Sequence, residues 1–127
     1  MSARFRGTYP SDWKQIATRV KDEAGWACVR CGHEHDPATG YCLTIHHADG
    51  DKANQAWYNL LPLCQRCHLH IQGKVRMEQV WPFEHSAWFR PYVAGYYAAR
   101  FGFDYDRATC EANADDLVAM GQGRGAP

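Results

Sequence analysis

Four of the six cysteines fall into two tight pairs, Cys28-x2-Cys31 and Cys64-x2-Cys67. Two such pairs supply the four soft ligands of a tetrahedral Zn2+ site, closed to substrate, so the expected role is structural. Cys42 and Cys110 are left over and read as small buried hydrophobes in a reducing compartment. A thiol redox use of C-x2-C is the weaker reading, because two pairs bracketing a strand–loop–strand pattern favour metal. From between the pairs through the second one runs IHHADGDKANQAWYNLLPLCQRCH, which holds His46, His47, Asn59 and His68. Imidazoles bind divalent ions and, with an ordinary pKa of about 6.5, can accept a proton from water near neutral pH.

Such side chains need elements to hold them. Ser11 reads as the cap of a helix beginning at Asp12, with Trp13, Ile16, Ala17, Val20 and Ala24 at helical spacing and Gly25 as its stop. Residues 41–47, YCLTIHH, are rich in β-formers, and residues 60–63 form a short apolar run in which Pro62 points to an edge position or a bulge. From Gln65 the stretch to Val80 reads as a helix, weakened at Gly73. Zinc would pin the ends of this small hairpin at the base of that helix. Residues 81–103 are dense in aromatics, expected to pack against the zinc unit, with Pro91 at the first position of a helix and Gly102 closing it. An acidic helix over 106–120 and a disordered GQGRGAP end complete the chain. The expected class is α+β, one domain over 1–127. It divides into an N-terminal helix (1–25), a zinc core (26–76), an aromatic helical extension (77–120) and a tail (121–127).

The set His46-His47, Asn59 and His68, with His68 directly after the second cysteine pair, resembles the HNH endonuclease family, the ββα-metal or His-Me finger nucleases. The resemblance covers roughly residues 26–75. It implies a small ββα-metal core with a four-cysteine zinc knuckle, and hydrolysis of DNA phosphodiester bonds to 5′-phosphate and 3′-hydroxyl ends. His47 would be the general base, His46 and His68 would bind the catalytic metal, and Asn59 would hold the loop and orient the backbone near His47. Where some members of the family carry a further metal-binding His one turn beyond His68, this chain has Gln72, leaving the third position to water or substrate phosphate. Imidazole suits Zn2+, Ni2+ and Mn2+, and phosphate suits Mg2+; the expected ion is Mg2+ or Mn2+, with Ni2+ or Zn2+ as further candidates. Neighbours on a regular strand point to opposite faces, so His46 and His47 can share a site only if the strand ends or twists there. Small HNH proteins are frequent in bacteriophage genomes, and the expected setting is the cytoplasm of a bacterial or phage-infected cell.

Other polar residues carry simpler readings. His70 lies two positions from His68 and points away on a helix, toward the surface or a phosphate. His33 and His35 could enter the zinc shell, but four cysteines already fill it. Asp49 and Asp51 suit turn formation better than metal binding. Formal net charge is zero, with 14 Lys/Arg against 14 Asp/Glu, so charge alone does not suggest nucleic acid. Segments 1–31 (six basic, three acidic) and 64–100 (five basic, two acidic) could still form a basic face. Arg30, Arg66, Lys74 and Arg76 flank the site and would contact phosphates without reading sequence, so nicking or weak sequence preference is expected. No apolar run reaches the roughly 20 residues that span a bilayer, and the first residues lack the apolar stretch of a secretory signal. The chain is expected to act as a monomer or homodimer. The rival reading is a non-catalytic, zinc-stabilised module that binds nucleic acid or protein.

Overall fold

The computed structural model describes residues 8–71 and 86–122. Helix α1 spans Trp13–Glu23, with Asp12 rather than Ser11 at the N-cap and no side-chain cap bond. The Trp13 N–H donates to the Pro10 carbonyl at 3.1 Å. That turn already satisfies one orphan donor of the first helical turn, so the helix starts later than the Ser11 pattern suggested and without its hydroxyl. Gly25 ends α1 at φ 65°. Its N–H donates to Asp22 O, and the Trp26 N–H to Lys21 O, the paired bonds of a Schellman stop.

The sheet has two antiparallel strands, β1 (Leu43–His47) and β2 (Leu60–Cys64), with Leu43 opposite Cys64 and His47 opposite Leu60. The strand expected over 41–47 starts two residues late. Tyr41 instead bridges Asp36 across the 3-10 turn Pro37–Thr39. The Gln65 N–H donates to Cys42 O at 2.8 Å and the Ala48 N–H to Asn59 O at 3.0 Å, which puts the hydrogen-bonded positions of β1 at even residues. Pro62 faces Ile45, an odd position, so the ladder does not need the N–H that proline lacks. Its carbonyl turns outward and accepts the Val29 N–H at 2.9 Å, tying the first cysteine loop to the sheet edge.

Helix α2 (Gln65–Ile71) follows β2 without a break. Both α1 and α2 pack against both strands. Thr44 and His46 of β1 touch His68 of α2, while His47 touches Trp13 of α1, so the two helices cover opposite faces. The remainder of the helix expected to Val80 lies outside the described residues, as do Trp81 and Phe83.

Helix α3 (Arg90–Arg100) carries Pro91 in its first turn, one place later than expected. Gly102 at φ 81° closes it with bonds from Gly102 N–H to Ala99 O and Phe103 N–H to Ala98 O. The acidic helix expected over 106–120 is two helices, α4 (Arg107–Ala112) and α5 (Ala114–Gly121). Asp106 caps α4 by accepting the Thr109 N–H at 2.8 Å. Asn113, at φ −113° and ψ 21°, breaks the run so that Leu117 and Val118 can both reach the core. Gly121 belongs to α5, not to a tail, and residues 123–127 lie outside the described residues.

One buried cluster joins the cysteine loop and sheet (Cys28, Leu43, Leu61, Leu63) to α2 (Cys67, Ile71) and to α3 (Phe89 at its cap, Tyr92, Val93, Tyr97). Phe101, Phe103 and Tyr105 stay exposed. At Gly95, α3 lies close against the turn Trp57–Asn59. A Cβ there would lie 2.6 Å from the Trp57 ring and 2.7 Å from Tyr58 Cβ. Gly95→Ala should therefore lower the urea midpoint. The overpacking, typically about 1–3 kcal/mol, outweighs the gain of about 1 kcal/mol in helix propensity. A stabilised variant would refute this close approach.

Candidate functional site

The four paired cysteines converge. All four sulfurs lie within 4.8 Å of one another, and Cys31 Sγ is 3.8 Å from Cys64 Sγ. Four sulfurs about 2.3 Å from a tetrahedral centre stand roughly 3.8 Å apart, so the cluster has the dimensions of a zinc site. All are free thiols. Within each C-x2-C turn the second cysteine's N–H donates to the first sulfur, Cys31 to Cys28 and Cys67 to Cys64, both at 3.4 Å. Arg30 Nη1 donates to Cys67 Sγ at 3.3 Å. Burial pushes the Cys67 thiol up to about 12. It pushes Cys28 upward too, but there the backbone donors of Cys31, Cys64 and Arg30 win and bring the thiol down to about 7. Four such sulfurs ionise together only around a cation. Four cysteines in this arrangement could hold a structural zinc ion.

A histidine cluster lies at the other end of the sheet. His46 ends the α2-facing row of β1 and meets His68 edge to face, ring centroids 4.9 Å apart. His46 is 8% exposed, and its Nε2 is buried with no hydrogen-bond partner among the described residues. A buried polar atom without a partner is costly, and here its neighbour is a second imidazole. His68 Nδ1 lies 2.8 Å from Thr44 Oγ1. Burial first, then repulsion from His68 and His47, lowers the His46 pKa to about 3. Burial and His47 lower that of His68. Neutral imidazoles side by side are the protonation state a divalent cation requires.

His47 sits apart from this pair, on the α1 face. Its ring packs 5.0 Å from Trp13 and 5.9 Å from Tyr9, and Lys52 Nζ lies over the Tyr9 ring at 5.0 Å. Its Nε2 is buried. Burial lowers its pKa, offset in part by the Gln55 side chain and by the carboxylates of Asp49 and Asp51.

Asn59, fully buried, organises the loop between the strands. Its Oδ1 accepts the Asp49 N–H at 2.9 Å, and its Nδ2 donates to Asp49 Oδ1 and to Asn54 O, each at 3.0 Å. Asp49 also accepts from the Asp51 N–H and from Asn54 Nδ2, both at 2.8 Å. Asp49 and Asp51 thus turn the chain, and Ala48 and Asp49, the two residues after His47, are tied to Asn59.

The remaining candidates are placed elsewhere. His33 stacks on Tyr41 at 3.5 Å, and His35 Nδ1 accepts the Leu43 N–H at 2.9 Å, so neither enters the sulfur shell. Arg66 donates to Thr39 O and Gly40 O and lies over the Tyr41 ring. His70 is exposed. Lys74, Arg76, Gln72 and His85 lie outside the described residues. Thr44, Tyr9, Gln55 and the His47 contact of Trp13 had no signal in spacing or composition, since each is a tertiary contact.

Chelation of the protein as purified should unfold it, and Cys64→Ser should lose about one bound Zn2+ per chain along with the cooperative melt; retention of fold without metal would refute the structural role. A second expectation follows from the histidines. Their folded pKa values lie below the unfolded value of about 6.5, so the unfolded chain binds more protons as pH falls below that point. Stability is complete above pH 6.5 and declines toward the folded values. Urea midpoints measured with zinc present at pH 7.5 and 6.0 should fall, and the fall should shrink in His46→Gln.

Among known proteins, the chain is 35% identical over 60 residues to the Zorya protein ZorE of Escherichia coli, a stretch covering 47% of this chain and 16% of that protein. The chain therefore spans about a sixth of the relative it matches. No family model matches it. No solved structure matches it.

Proposed function

We propose that this chain is a metal-dependent DNA endonuclease of the HNH, ββα-metal type. The observation that carries the reading is the pairing of His46 and His68, with the buried Nε2 of His46 lacking a hydrogen-bond partner among the described residues. Strand, loop, strand and helix follow in the order that the resemblance implies, with Asn59 just before β2 and His68 in α2. His46 and His68 would hold a divalent ion, Mg2+ or Mn2+ with Ni2+ or Zn2+ as alternatives. When bound, such an ion stabilises charge on the phosphoryl oxygens and on the leaving 3′ oxygen.

The chain's own residues supply the rest. His47 stays neutral near pH 7 because burial disfavours its charged form, so a nitrogen lone pair is available for the proton of an attacking water. With Nε2 buried and the ring packed against Trp13 and Tyr9, it reaches that water only when this cover gives way, a movement the nuclease reading requires. Asn59 holds the loop through Asp49, which keeps the end of β1 in place. Arg30 and Arg66 already have intramolecular partners and would contact phosphate by sharing or exchanging them, alongside Lys74 and Arg76. The proposed setting is a bacterial or phage-infected cytoplasm, with DNA as the partner.

The cover over His47, together with zero net charge, favours a second reading, a zinc-stabilised module that binds without cutting. Supercoiled plasmid incubated with Mg2+, Mn2+ or Ni2+ separates the two. Wild type should nick it, His68→Ala should abolish the metal dependence, and His47→Ala should slow cleavage by about 10^2- to 10^4-fold. Equal cutting by His47→Ala overturns the base assignment, and DNA binding without cutting under all three ions establishes the second reading.

A further inference from the structure

We propose that Thr44 is a positioning residue that locks the His68 ring so that its Nε2, not its Nδ1, faces the space beside His46. This inference rests on the reading that His46 and His68 share a divalent ion. Among the described residues Thr44 Oγ1 has two hydrogen-bond neighbours: the Leu63 carbonyl at 2.7 Å and His68 Nδ1 at 2.8 Å. A carbonyl can only accept, and a hydroxyl carries one proton. That proton therefore goes to Leu63 O, and the hydroxyl oxygen accepts from His68. Nδ1 of His68 must carry hydrogen, which leaves the lone pair of the neutral ring on Nε2.

The strand makes this arrangement economical. Thr44 and His46 are two residues apart on β1 and so share the face turned to α2. One face of one strand thus brings an imidazole at 46 and, one pleat earlier, the group that orients the imidazole it faces. Leu63, the cross-strand partner of Thr44 in the register, supplies the carbonyl that decides the direction of the whole chain of bonds. A ligating histidine whose other nitrogen donates to a fixed acceptor is held in tautomer and in ring angle, and loss of such an acceptor typically weakens metal binding by about 10- to 100-fold.

Thr44→Val removes the hydroxyl while keeping a β-branched residue in the strand, and Thr44→Ser restores the hydroxyl. Two measurements are made on zinc-loaded protein. Long-range 1H–15N correlation spectra, without added metal, should show His68 of the wild type with its hydrogen on Nδ1, a mixture in Thr44→Val, and the wild-type pattern in Thr44→Ser. Titration with Co2+, followed by calorimetry and visible absorption, should show a second site weakened about 10- to 100-fold in Thr44→Val and recovered in Thr44→Ser. Hydrogen on Nε2 in the wild type, or Co2+ affinity unchanged in Thr44→Val, overturns the role of Thr44 and leaves the shared-ion reading intact. A wild type that keeps hydrogen on Nδ1 but takes up no second ion overturns the shared-ion reading and the purpose assigned to Thr44 with it.

Discussion

The whole arrangement depends on the cross-link that the four sulfurs make possible. A two-stranded sheet with five residues per strand is marginal in water, because it buries too little to offset the ordering of its own backbone. Here the sheet is clamped where β2 becomes α2, with Cys64 as the last residue of the strand and Cys67 in the first turn of the helix. The partner sulfurs come from a loop that also bonds to the sheet edge through Val29 and Pro62. A bound ion at that corner fixes the angle at which α2 leaves the sheet. That angle in turn decides whether His68, directly after Cys67, falls opposite His46. The structural cluster and the histidine cluster are therefore one mechanical system.

The second constraint is electrostatic. Three imidazoles lie close enough that a charge on His47 disfavours charge on both His46 and His68. With burial added, the cluster is neutral near pH 7, and a neutral imidazole in the interior leaves its unprotonated nitrogen unsatisfied unless a donor or a cation meets it. Where protein groups do meet these rings the partners are specific: Thr44 for His68, Gln55 near His47. Among the described residues the Nε2 atoms of His46 and His47 both lack a hydrogen-bond partner. At His46, with His68 beside it, an added cation would offset the cost of burying that atom.

Much of this was legible in the chain itself, and the boundary of legibility is physical. The C-x2-C pairs were readable because metal chemistry imposes a local spacing, and the Gly25 and Gly102 helix stops because only glycine takes those dihedrals cheaply. Pro62 at an edge followed from its missing N–H. The misplaced features are those decided by packing. Ser11 lost its capping role to a backbone turn at Pro10, and the helix over 106–120 broke at Asn113 to deliver Leu117 and Val118 to the core. At the site, His46, Asn59 and His68 stood out by residue type and order. Thr44 did not, since a threonine in a strand is ordinary until its neighbours across the sheet and on α2 are known. Trp13 was legible only as part of an apolar stripe, and nothing local marks it as a neighbour of His47.

That last contact bears on how the two adjacent histidines divide their work. Alternation along β1 sends His46 toward α2 and His47 toward α1, so residues joined by one peptide bond occupy different surroundings. One ring lies beside another imidazole; the other lies under Trp13 and Tyr9, next to the loop that Asn59 and Asp49 hold. If both serve one reaction, they must meet substrate around the end of the strand, where the chain turns at Ala48. The fully buried Asn59 fixes that turn from within, through the Ala48 N–H on its carbonyl and the Asp49 N–H on its side chain. The His46 side is held by the sheet and by α2, and the turn by Asn59. On the His47 side Tyr9 and Trp13 lie against the ring, and the proposed base role requires them to yield. Tyr9, half exposed and ahead of α1, is the less buried of the two.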